Sequence, residues 1–381
     1  LAAAEQAMAL AEAARDPAMM AGSRLCLAEA QLRSGAHDAA LASAQAAVAE
    51  HAALRDTAGE GRAHWLVAFA HTRLSHNDAS RRAALQAVAL VRQAGDVEGL
   101  ANALNVLSFS CTDIAERLGV LREAAAAFER AGIAFGRMLV LGNLSLTFGE
   151  MGLWRHACRL GEACMALAEH IGARLNLALE MGAVLHWQIE LGDLPGARAR
   201  WPAFDALVRE VDQPLTRGDR ELWSAELCAA EGDSATALKQ LRAFLRQVRA
   251  HDPGFELYVL IPLARLLLQR GDAAAALRAT RRAVELLRTR GFARTGFGQP
   301  QDIGWWHSRA LAATGDDAAA WAALQQAHGQ LLDAVRHVHD EGLRRSYLNK
   351  RRVNRELLRA WLDESARRGV PAAQRLAHLR L

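Results

Sequence analysis

Lysine is nearly missing from this chain. Lys239 and Lys350 are the two among 46 basic residues, so arginine carries the positive charge. We read that bias as base composition of the coding DNA rather than a phosphate-binding purpose. Against 42 acidic residues the net charge is +4, spread fairly evenly, which is too slight to argue for a nucleic-acid partner. Cysteine is sparse and unpatterned: Cys26, Cys111, Cys158, Cys164 and Cys228 show no CxxC spacing and sit inside apolar helical patterns. An odd, scattered set predicts reduced, buried thiols in a cytoplasmic protein. Charged residues interrupt every apolar run before the ~20 residues a membrane span requires, and no signal peptide is visible. Catalytic signatures are absent too, with no GxxxxGK[ST], GxSxG or HExxH. The glycine-rich "GFARTGFGQ" follows a helix and lacks the strand that a dinucleotide site needs. His64 with His71, and His337 with Glu341, have helical spacing and read as surface or groove pairs rather than metal ligands. No catalytic residue, metal or cofactor is expected, and the chain itself reads as not an enzyme; an attached cyclase, kinase or NTPase domain stays open.

What is present is a repeat. In "ARLLLQRGDAAAALRATRRAVELLRTRG", Ala264 to Gly291, a helix, a tight turn and a second helix follow one another. Gly271 supplies the left-handed backbone that ends the first helix, and Asp272 caps the second. A phrase with Gly first and Ala sixth recurs from Gly35, Gly152, Gly192, Gly232, Gly271 and Gly315. Seven residues before those glycines stand Ala28, Ser145, Leu185, Ala225, Ala264 and Ser308, small in all but one case. A small residue in the first helix and alanine in the second let the two backbones approach closely.

These positions resemble the tetratricopeptide repeat, whose pattern has a small residue at its eighth place, a turn glycine at its fifteenth and an alanine at its twentieth. The resemblance implies an all-α, right-handed solenoid of stacked antiparallel helix pairs, a scaffold specific for fold and not for function. Residues 1–20 then read as the second helix of a truncated leading repeat, residues 21–339 as about eight repeats of about 40 residues, and residues 340–381 as a closing helix and tail. The leading helix without its partner predicts a fragment of a longer protein. The first whole repeat is expected to pair a helix around Arg24–Ser34 with one from about Asp38, and Asn77 to replace the second turn glycine. The third turn, "CTDIAERLGVL", predicts a longer loop or irregularity. Gly291 to Gly304, with four glycines besides Pro300, is the candidate mobile loop, a simple repeat connector being the alternative.

Leu343, Arg344, Tyr347, Leu348, Asn349, Asn354 and Arg355 resemble the segment that closes such repeats in large bacterial signal transducers. That resemblance implies a nucleotide-binding region before the repeats and a cyclase, kinase, sensor or DNA-binding output after them. The same segment crowds Arg344, Arg345, Lys350, Arg351, Arg352, Arg355 and Arg359, read as a solvated helix leading onward rather than a nucleic-acid contact.

In such stacks the first helices line the concave groove. Repeat phase places His64, His71, Asn102, Asn105, Asn143, His186, Trp223, Glu226, Tyr258, Arg265, Trp305, Trp306 and Arg309 on that stripe. Aromatic residues beside arginine are what binding hot spots use, whereas Trp154, Trp187, Trp201, Trp321 and Trp361 are assigned to packing. The expected function is a protein-interaction and regulatory module whose groove binds a partner segment or another domain of the same polypeptide. A small-molecule inducer sensor, as in repeat-containing transcription activators, is the alternative, and a rigid scaffold the third; a closed pocket with convergent polar groups would favour the sensor.

Overall fold

The computed structural model describes residues 1–251, 255–290 and 299–379, and every regular element in them is helical. Two compact units divide the chain, Leu1–Leu144 and Ser145–Leu381. The first holds α1 (Ala2–Ala14), α2 (Pro17–Arg33), α3 (His37–Ala53), α4 (Thr57–Arg73), α5 (Asn77–Ala94), α6 (Val97–Ser110), α7 (Ile114–Ala131) and most of α8 (Ala134–Glu150). Held in the second are the end of α8, α9 (Trp154–His170), α10 (Arg174–Leu191), α11 (Leu194–Val211), α12 (Pro214–Ala230), α13 (Ser234–His251), α14 (Glu256–Gln269) and α15 (Ala273–Arg290). It continues with α16 (Pro300–Ala313), α17 (Asp317–Arg336), α18 (Glu341–Asn349), α19 (Arg352–Arg367) and the short α20 (Ala372–Arg375).

All six turn glycines adopt positive φ, from +75° at Gly152 to +94° at Gly232. Where Asp follows, its carboxylate caps the next helix: Asp193 accepts from Gly196 N, Asp233 from Thr236 N, Asp272 from Ala275 N and Asp316 from Ala319 N, at 3.0 to 3.1 Å. The small residues before the turns and the alanines after them are buried. At the last pair the contact is a hydrogen bond, Ser308 Oγ to the Ala320 carbonyl at 2.8 Å. Within each unit first helices also pack on the next first helix, α2 on α4 and α4 on α6, then α10 on α12, α12 on α14 and α14 on α16. Burial of apolar surface between neighbours, at roughly 25 cal/mol per Å², is the main stabilising contribution.

Several local expectations are corrected. The second turn is made by Ser75 (φ 62°), not Asn77, which already begins α5. Ala68 and Ser80 stand at the repeat distances from Ser75, and Ser80 Oγ donates to the Ala68 carbonyl at 2.9 Å. The third turn is irregular, as expected, but not long: Cys111 is extended where the other turns have a left-handed residue, Asp113 caps α7, and "AERLGVL" is helical. The first whole repeat starts at Pro17, with Asp16 accepting from Ala18 N and Met19 N, a cap and N1 proline that together begin a helix. Of the Gly291–Gly304 connection, residues 291–298 lie outside the described residues, and Pro300–Gly304 is the first turn of α16.

The closing segment is not a solvated lead-out. Tyr347, Leu348, Leu357 and Trp361 are buried, and the segment docks onto both ends of the second unit. At one end Ser346 Oγ donates to the Met151 carbonyl at 2.9 Å. At the other, Trp361 stacks on Trp321 and His328 of α17, with ring centroids 5.3 and 4.0 Å away. Two of the residues that resemble the transducer segment bind each other, Asn354 donating to the Tyr347 carbonyl at 2.9 Å, and Gln301 of α16 donates to the Tyr347 hydroxyl at 2.6 Å.

Candidate functional site: a cavity in the second unit

Four consecutive first helices, α10, α12, α14 and α16, turn one stripe inward. Measured back from each turn glycine, the stripe falls at 13, 9, 6 and 2 residues, the i, i+4, i+7, i+11 face of a helix. It carries His186 and Glu190 on α10, Trp223 and Glu226 on α12, Tyr258, Arg265 and Gln269 on α14, and Asp302 and Trp306 on α16. All of these line a cavity of about 670 Å³ within the second unit. Trp154 and Trp187 close one end, stacked 5.6 Å apart. The segment Lys350–Arg355, at the junction of α18 and α19, forms another wall.

Charges in this cavity are arranged in pairs and exceptions. Arg265 Nη2 donates to Glu226 Oε2 at 2.6 Å; Glu226 raises the guanidinium's pKa and keeps it charged. Arg351 Nη2 donates to Asp302 Oδ2 at 2.9 Å. Burial pushes the Asp302 carboxyl above the ordinary range, with Arg351 opposing. His186 stacks on Trp223 at 4.5 Å, and burial pushes its imidazole down to about 4, so the ring is neutral at pH 7. Glu190 is exposed to the cavity yet surrounded by its walls, which raise its carboxyl. Among the described residues Trp187 Nε1, Arg351 Nη1 and Asp302 Oδ1 are buried without a hydrogen-bond partner. The cavity itself is lined by carboxylate, guanidinium, amide and aromatic side chains together, the makeup of a ligand site rather than of a finished core.

Of the stripe read from the sequence, His186, Trp223, Glu226, Tyr258, Arg265 and Trp306 meet in this cavity. Trp305 does not: it is buried beside Trp306, ring centroids 6.4 Å apart, outside the cavity lining, with Arg309 over its ring at 5.5 Å. His64, His71, Asn102, Asn105 and Asn143 belong to the first unit. There His71 Nδ1 lies 3.3 Å from His76 Nδ1, Asn102 donates to the Glu98 carbonyl of its own helix, and Asn143 donates to Asn105 Oδ1 at 3.1 Å. Sequence reasoning missed Glu190, Gln269 and Asp302, although each sits in phase with residues it selected. It placed Trp154 and Trp187 in packing alone; they pack on each other and also face the cavity. Arg351 had no periodic signal. Among the described residues no three His, Cys, Asp or Glu side chains form a metal-binding group, and no helix is long and apolar enough to cross a membrane.

No family model matches the chain, and no curated protein matches it. Solved structures do. A Rap protein complexed with Competence and Sporulation Factor is similar over 91% of this chain and 98% of its own, at 10% identity and a TM-score of 0.59. The apo form of the quorum sensor NprR from B. thuringiensis is similar over 82% of this chain and 88% of its own, at 9% identity and a TM-score of 0.60. The Signal Transduction ATPase with Numerous Domains from Pyrococcus horikoshii, which has a tetratricopeptide repeat sensor, matches over 71% of this chain and 43% of its own, at 13% identity and a TM-score of 0.57. At these identities the likeness shows the fold: a tetratricopeptide-like, all-helical solenoid.

Proposed function

We propose that the chain is a non-catalytic regulatory binding module whose second unit takes a short peptide segment of a partner into the cavity between α10, α12, α14 and α16. The observation that carries this reading is the convergence of one stripe from four helices, bearing aromatic, carboxylate and guanidinium groups, on a single space of about 670 Å³. A peptide supplies amide donors and acceptors in alternation, which suits the Glu190, Arg265 and Gln269 side chains of the lining, while Trp154, Tyr258 and Trp306 offer faces for its side chains. The Rap structure was determined with Competence and Sporulation Factor, which supports a ligand within this architecture. In this reading the module acts in the cytoplasm within a bacterial signalling or transcription-regulating protein, and ligand occupancy is relayed through the docked closing segment.

The test is selection of short peptides from a random library on the full chain. Selected peptides should lose about tenfold or more in affinity with Glu190→Gln or Arg265→Met, and keep it with Arg309→Ala, which lies off the cavity. Peptides indifferent to both cavity substitutions would overturn the assignment. A second reading, a small-molecule inducer in the same cavity, is favoured by the wall that Lys350–Arg355 builds across it. It predicts thermal stabilisation by small aromatic ligands and no cavity-dependent peptide.

A further inference from the structure

A second feature lies on the outer wall of the same unit and is independent of the cavity. The sequences of α13 and α15 together hold nine lysine and arginine residues against one carboxylate, Glu285. In the rest of the chain carboxylates outnumber cations, so the entire positive excess sits on two neighbouring second helices. Between α13 and the α14–α15 turn is a cleft of about 460 Å³. Lys239, Arg242 and Arg246, at i, i+3 and i+7 on α13, face Arg270 across a floor of Leu238 and Leu267. All four cations are exposed, and none has an ion-pair partner among the described residues. The one acid in the cleft, Asp272, is engaged as the cap of α15.

Elsewhere the repeats satisfy arginine across the helix interface. One repeat earlier Arg198 of α11 pairs with Glu231, the residue before the turn glycine. The residue before the next turn glycine is Arg270, so a cation replaces the anion at the place that faces α13. Like charges opposed across a contact weaken it. Clustering them here sets a positive potential in the cleft.

We infer that this cleft docks an acidic segment of a protein partner, with carboxylates on the four cations and an apolar side chain toward Leu238 and Leu267. Single-stranded nucleic acid is the poorer fit, because the cleft has no aromatic ring on which a base stacks. Electrostatic attraction of this kind acts first on association rate and weakens with salt.

The experiment uses the full chain and a fluorescein-labelled synthetic peptide repeating Asp-Leu-Glu-Glu, read by fluorescence anisotropy. Binding should weaken about tenfold or more in Lys239→Glu/Arg242→Glu, persist in Glu190→Gln, and vanish for the peptide's Asn-Leu-Gln-Gln analogue. Lys239→Glu alone sets a carboxylate across the cleft from Arg270; it should raise Tm while lowering affinity, a combination that simple loss of structure does not produce. Equal binding of peptide and analogue, unchanged affinity in the double variant, or binding of polyuridine but not of the peptide would each overturn the proposal. If a variant fails to fold by circular dichroism, the comparison of peptide and analogue on the unmodified chain decides.

Discussion

Arg351 and Asp302 form an ion pair whose side chains are 14% and 10% exposed. The same Asp302 carboxylate accepts from the Gln299 backbone N–H at 3.3 Å, completing the capping box of α16. One side chain thus starts the last first helix and anchors the segment that walls the cavity.

Replacing Arg351 alone should therefore be costly. In Arg351→Met the Asp302 carboxyl stays buried without its guanidinium, and breaking such a pair from one side costs about 3 kcal/mol. Urea denaturation should show that loss, and Asp302→Asn/Arg351→Met should recover part of it. A wild-type midpoint for the single variant would mean that the closing segment does not depend on this pair.

The contrast between fold and site in sequence legibility follows from range. The turn glycines, their capping aspartates and the alanines five residues on are local, and all took the conformation that their spacing demanded. The Ser75 turn was hidden because serine in the left-handed region is unusual, yet Ala68 and Ser80 preserved its register. The stripe that meets in the cavity was half legible, because Glu190 and Asp302 share phase with Tyr258 and Arg265 but are of types that also suit a solvated face. The docking of the closing segment was not legible at all. Ser346 meets Met151 across 195 positions of chain, and no periodicity encodes such a contact.

Two buried carboxyls predict an unusual pH dependence. Burial pushes Glu180 up to about 7, and pushes Asp219 up to about 7 as well. Both titrate near 4 in an unfolded chain. With the folded pKa raised, the folded state holds the proton more tightly, so this stability is fully present below about 4 and is lost as pH rises through about 7. Glu180→Gln and Asp219→Asn should each raise stability relative to wild type at pH 8, by on the order of 2 kcal/mol, with the advantage shrinking toward pH 4. Guanidinium melts across that range check it, and a pH-independent difference would refute the assignment.

Gly149 lies against the cavity's aromatic end. A Cβ built there would stand 2.5 Å from Trp187 Cζ2 and 2.6 Å from Cη2, and an indole held in a stack has little room to give. Gly149→Ala should displace Trp187 from Trp154, cost about 1–3 kcal/mol, and change the tryptophan emission. Any ligand of the cavity should bind more weakly to it; unaltered emission and affinity would show that the stack adapts without loss.

Gly152 and Gly315 form a matched pair for measuring how tightly the closing segment is docked. Both hold left-handed backbone, φ 75° and 83°, so alanine at either place costs about 1 kcal/mol of backbone strain. They differ in surroundings: a Cβ at Gly315 meets nothing within 4 Å, whereas one at Gly152 would stand 2.8 Å from Lys350 Cβ and 3.2 Å from the Arg351 backbone nitrogen. Gly152→Ala should therefore destabilise the chain more than Gly315→Ala, and the excess should appear as faster proteolysis between α18 and α19, where Arg351 is freed from its pair and opened to trypsin. The hydrogen bond from Ser346 to the Met151 carbonyl should weaken with it, so Ser346→Ala ought to add little to Gly152→Ala while costing about 1 kcal/mol alone. Equal effects of the two alanines on stability and on cleavage would mean that the turn after α8 carries no part of the docking.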